Sequence, residues 1–164
     1  MRSKRYLGMA VLVILGLVLM ISIARAEQPI DITYCISLVS TVVSHNEEMT
    51  FTSFDFKGIA RSNLPDKGFD DLTLHGVGVG RVVAGKTYNY GYIKFLAPDG
   101  DYVVTENLRE LGDTDAAWKF LQGTGKWKGI RGGGKLQSVA RGRPILKDTL
   151  QGCIRMTGNY EMAK

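Results

Sequence analysis

The chain has 164 residues, 45% of them hydrophobic, with 21 basic and 16 acidic side chains and a formal charge of +5; that composition excludes a disordered polymer. Four of the basic residues, Arg2, Lys4, Arg5 and Arg25, fall within the first 26 positions, which hold no acid, so the remainder carries 17 basic against 16 acidic residues. A near-neutral domain argues against nucleic acid as a partner, and two cysteines with two histidines are too few for a dedicated zinc site, so no metal or cofactor is expected.

In chain order, Met1-Arg-Ser-Lys-Arg5 is a basic start, residues 7–23 are almost wholly apolar, and Ala24-Arg25-Ala26 is a small-x-small cleavage site. Residues 1–26 are therefore expected to be an export signal, with the mature protein starting at Glu27 in the periplasm or outside the cell. The apolar run also reaches the lower limit of a membrane span, so an uncleaved anchor is the alternative, and the membrane would be met only through this segment. Residues 27–164 contain no linker, repeat or low-complexity tract. One domain of that size buries about two-thirds of its unfolded surface.

Strand signals then follow at hairpin spacing. Ile30, Ile32, Tyr34, Ile36 and Leu38 alternate with Asp31, Thr33, Cys35 and Ser37, the period-2 pattern of a strand with one buried and one wet face. Further strands are predicted over 49–59, 71–83, 87–95, 101–105, 118–121, 126–130, 135–141 and 150–162, with 107–115 as a loop tip or short helical turn. Gly76, Gly78 and Gly80 share one parity, which suits a barrel bend or a neighbour packed close against the strand. Nine short strands without a long helical period point to an all-β, closed antiparallel barrel of about eight strands.

Residues 120–136 concentrate six glycines around Trp127. Gly123-Thr124-Gly125 and Gly132-Gly133-Gly134 are expected to be tight reversals on either side of strand 126–130. Two phosphate-loop patterns nearly fit here. Leu136 stands where G-x-x-x-x-G-K requires Ser or Thr, Lys128 stands where the dinucleotide fingerprint requires its third glycine, and neither is followed by a helical pattern. The run Gly123-Thr124-Gly125-Lys126-Trp127-Lys128-Gly129-Ile130-Arg131-Gly132 resembles the G-T-G-x-aromatic-x-G-x-x-G segment of allene oxide cyclase and dirigent-like barrels. The resemblance implies a small calycin-like or allene-oxide-cyclase-like barrel with an apolar interior and, in some members, isomerase or coupling-guiding activity on hydrophobic molecules. It carries no catalytic residue over to this chain.

Cys35 shares its parity with Asp31, Thr33 and Ser37, and Cys153 with Gln151, Arg155, Thr157 and Asn159. If the first and last strands pair, both thiols fall on one side of the sheet and a disulfide is possible; two separate thiols are the alternative. His75 reads as a packed strand residue and His45 as part of a polar turn. Asp55, Glu106 and Glu110 are the candidate general bases, should one point inward. Lys126, Lys128, Arg131, Lys135, Arg141 and Arg143 form a local basic cluster, either a solvated face or an anion site. Tyr88, Tyr90 and Tyr92, with Phe54, Phe56 and Trp118, are the candidate ligand-binding aromatics, lining an interior that is either filled or hollow. The expected function is therefore an exported barrel that binds a small hydrophobic ligand or has a structural role in the cell envelope. An isomerase or cyclase acting on an apolar substrate and a secreted interaction module are the alternatives.

Overall fold

The computed structural model describes residues 27–163, and the expected export signal lies outside the described residues. Eight strands, β1 (Gln28–His45), β2 (Met49–Ser62), β3 (Leu72–Val83), β4 (Lys86–Leu96), β5 (Tyr102–Arg109), β6 (Ala116–Gly123), β7 (Ile130–Arg141) and β8 (Thr149–Met162), pair antiparallel in chain order. β8 returns to β1 and closes the barrel, so each of the eight described strands has a partner on both sides. The polar-apolar alternation sets the inside: Ile30, Ile32, Tyr34 and Ile36 of β1 face Met156 and Tyr160 of β8 within one core cluster.

Two sequence expectations are corrected around Trp127. Residues 126–130 form no strand; Gly125–Trp127 is a single 3-10 turn, and only Ile130 begins β7. Gly132-Gly133-Gly134 is no reversal either, but part of the start of β7, all three paired with β8 and the last two also with β6. The physical reason is close approach. Trp118 lies opposite Gly134, which in turn lies opposite Gly158, and across this bare patch the indole Nε1 donates to the Thr157 carbonyl at 3.1 Å. A Cβ on Gly134 would collide with that same carbonyl oxygen. The reversal at Gly123-Thr124-Gly125 is present: Gly125 has φ +48°, and the Asp101 carboxylate occupies the space of its missing side chain while accepting the Lys126 N–H at 2.9 Å.

The turn places Trp127 under the barrel. Its ring stacks on Phe69 at 5.1 Å, and Phe69, carried by the 63–71 loop, also meets Phe120 at 6.0 Å and Tyr160 edge-on at 5.3 Å. These aromatics form a solid floor at the end holding the 63–71, 97–101 and 124–129 connections. The opposite end carries the 46–48, 84–85, 110–115 and 142–148 hairpins.

At the β1–β8 seam Cys35 and Cys153 are directly opposed and disulfide-bonded, with Cα atoms 4.0 Å apart. On the same outer face Arg155 pairs with Asp31, and Asn63 donates to Asp31 at 2.7 Å. The Arg155 hydrogen bond holds the Asp31 carboxyl below its usual range. Asp70 is lowered likewise, first by the Ser62 N–H and then by Arg61. A depressed folded-state value contributes stability that is present above the unfolded pKa of about 3.9 and is lost as pH falls through the folded value. Thermal melts should therefore be flat from neutrality to about pH 5 and fall below about pH 4, and Asp31→Asn should flatten that acid limb. An acid limb unchanged in the variant would remove Asp31 from the explanation.

Candidate functional site

Above the floor the barrel is hollow. A cavity of about 430 Å³ occupies its other half and opens toward the 110–115 and 142–148 hairpins. Its deep wall is apolar, formed by Ile36, Phe54, Phe56, Ile93, Leu136 and Ile154 with the Tyr34 ring, whose phenol is pushed up by burial and stays protonated. Nearer the mouth the lining turns polar, with Thr87, Asn89, Asn107, Arg109, Ser138 and Arg141.

The glycine row of β3 shapes this space. Rings of Phe56 and Phe54 lie across Gly76 and Gly78, where any Cβ would enter them. The expected close-packed neighbour of the row is thus the aromatic pair of β2, flattened against the wall instead of projecting into the lumen.

Phe54 and Phe56 border the cavity from its inner face, Tyr90 and Tyr92 touch it only from the outer side of its wall, and Trp118 and Tyr88 do not line it. Trp118 is buried in the core through its hydrogen bond to Thr157 and does not line the cavity. The tyrosine row faces outward, correcting its assignment to the interior. Tyr90 and Tyr92 flank Gly91 in the cavity wall, but Tyr90 Oη donates to Glu106 on the outer face at 2.5 Å, Tyr92 is 41% exposed, and Tyr88 packs under Arg81. The reason lies in the pairing. Gly78 opposes Gly91, Gly76 opposes Ile93 and Leu74 opposes Phe95, so the inward set of β4 is the odd-numbered one, and the tyrosines take the other face.

The candidate bases face outward too. Asp55 pairs with His75 at 2.7 Å, and both are exposed, so His75 is a surface residue rather than a packed one. Glu106 bridges Lys119 at 2.6 Å; that bond first, then the Tyr90 hydroxyl, holds its carboxyl below the usual range while the Tyr90 phenol is raised in return. Glu110 lies exposed in the 110–115 connection. Among the described residues no Asp, Glu or His lines the cavity, and no three His, Cys, Asp or Glu side chains come together. The basic cluster is divided between the two ends: Lys126 bridges Asp99 at 2.6 Å by the floor, and Arg141 stands at the mouth.

Asn107, Arg109 and the inward turn of Arg141 escaped the sequence reading for two reasons. β5 runs to Arg109, past its expected end at Thr105, so Asn107 and Arg109 continue the inward parity of Val103 and Thr105. A bulge at Val139 then changes the parity of β7: Ser138 opposes Ile154, Ala140 opposes Cys153, and Arg141 opposes inward-facing Gly152. The parity of Asn107 and Arg109 could have been found by extending the Val103 alternation; the bulge has no sequence signal.

No protein-family model matches the chain, and no curated protein matches it. Among the solved structures similar to it are those of the pterocarpan synthase dirigent proteins GePTS1 and PsPTS1, each 10% identical. The first has a TM-score of 0.47 over 85% of this chain and 93% of its own, the second 0.48 over 85% and 97%. The likeness is one of barrel fold and extends to nothing finer.

Proposed function

We propose that this protein is an exported binding barrel that takes a small apolar molecule into the open half of its interior. The observation that carries the reading is the cavity itself, about 430 Å³ above a closed aromatic floor. Its size falls within the range of roughly 300–1,000 Å³ common to small-molecule sites. Interiors of small barrels pack to native density unless space is kept for a ligand, and this barrel does both, one half at each end. The absence of any inward carboxylate or histidine among the described residues favours binding over acid–base isomerisation. The Cys35–Cys153 bridge and the hydrophobic start of the sequence support export to an oxidising compartment.

Titration of the purified protein with the neutral apolar dye N-phenyl-1-naphthylamine should give a saturable fluorescence rise at one site per chain. Ala116→Trp would fill the hollow from the inner face of β6, and it should weaken that binding by at least about tenfold, or 1.4 kcal/mol, without lowering the melting temperature. A dye signal that does not saturate, or one unchanged in the variant, would turn the reading toward a structural barrel.

A further inference from the structure

We propose that the ligand of this cavity is an amphiphile with a single anionic head, a carboxylate or an acid of like geometry, held at the mouth by Arg109 with Arg141 beside the path of entry. The inference rests on the apolar-ligand reading and adds the chemical class of its polar end.

Three observations converge on it. Arg109 and Arg141 both line the cavity, and among the described residues no acidic side chain does, so the formal charges that those residues place on its wall are positive. Among the described residues neither arginine joins a salt bridge, although Arg61 and Arg155 do. Lastly, Arg109 is held in place but left short of partners. It stands opposite Asn89 on the inward face, its Nη2 donates to the Thr114 carbonyl at 3.1 Å, and its Nε is shielded from solvent with no acceptor. An unmatched guanidinium beside a low-dielectric cavity favours an anion there, and its planar donors match a carboxylate.

The bulge at Val139 supplies the second arginine. Without it, the position of Arg141 would keep the outward parity of Gln137; with it, Arg141 faces inward opposite Gly152, which has no side chain to block the approach. Asn89 and Asn107 on the wall between the mouth and the apolar depth can donate to the second oxygen of the head. The tail would lie against Phe54, Phe56 and Ile154.

Two probes of equal chain length, dodecanoate and dodecanol, separate the head from the tail when each is titrated calorimetrically into the intact protein at pH 8. Dodecanoate is expected to bind about tenfold or more tightly than dodecanol, because a charge-assisted hydrogen bond to the head is made only by the anion. Arg109→Met should erase most of that difference, with the loss falling on dodecanoate far more than on dodecanol, and Arg109→Lys should restore part of it. Because Arg109 also holds the 110–115 connection through Thr114, Arg141→Gln is the companion variant; it lacks that anchoring contact, and it should reduce the difference several-fold. Equal affinity for the two probes in the native protein, or equal losses for both in Arg109→Met with Arg141→Gln silent, would overturn the anionic head and leave the apolar cavity standing. Failure of both probes to bind would overturn the cavity reading and this inference together.

Discussion

Trp127→Ala is expected to destabilise the protein by about 3–5 kcal/mol, the range for removing a large buried aromatic, and to lower the melting temperature by roughly 10 °C or more. Trp127 is 4% exposed and stacks on Phe69, which is itself the hub of the floor between Phe120 and Tyr160. Truncation would leave a void beneath Phe69 that the sheet cannot collapse to fill, because the strands around it are fixed by ladder pairing on both sides. The cavity lies in the other half and Trp127 does not line it, so dye binding below the melting transition should persist. A variant that melts normally but loses the dye would place Trp127 in the binding machinery instead of the floor.

Reduction of Cys35–Cys153 is the second large expected effect. The bridge spans 118 residues, and in the chain-entropy model a crosslink of that span restricts the unfolded chain by on the order of 4–5 kcal/mol. Engineered and native bridges often deliver less, so a fall of roughly 10 °C in melting temperature is the expected reading at this chain length. The fold should survive, since twelve residue pairs from Gln28–Tyr160 to Val39–Thr149 close the β1–β8 seam independently of the sulfurs. Near-ultraviolet circular dichroism before and after reduction separates the outcomes. Loss of the aromatic signal at room temperature on reduction would mean that the seam depends on the bridge for closure, while an unchanged melt would mean that the unfolded chain is already compact.

Much of this architecture was legible because it is local. The alternation of Ile32, Tyr34 and Ile36 with Asp31, Thr33 and Cys35 specifies which face of β1 is buried whatever surrounds it, and the same holds for Ile154 and Met156 against Cys153 and Arg155 in β8. Parity alone therefore placed both cysteines on the outer face, and the observed register sets them opposite one another. The closed eight-stranded antiparallel barrel follows from the same short-range punctuation.

What the tertiary structure decided are the choices on which neighbouring strands must agree. β4 carries apolar residues on both faces, and only the pairing of Gly78 with Gly91 and of Gly76 with Ile93 sends Tyr88, Tyr90 and Tyr92 outward. Gly132-Gly133-Gly134 has the composition of a turn, yet it is a strand because the backbones of Asn159, Trp118 and Thr157 stand in the space that its side chains would fill. The inward turn of Arg141 depends on one unpaired residue, Val139, whose place is fixed only by the register between β7 and β8. Whether the interior is filled or hollow depends on the summed volume of side chains contributed by all the strands, a quantity no single segment contains; here it closes one end with Phe69 and Trp127 and leaves the other open.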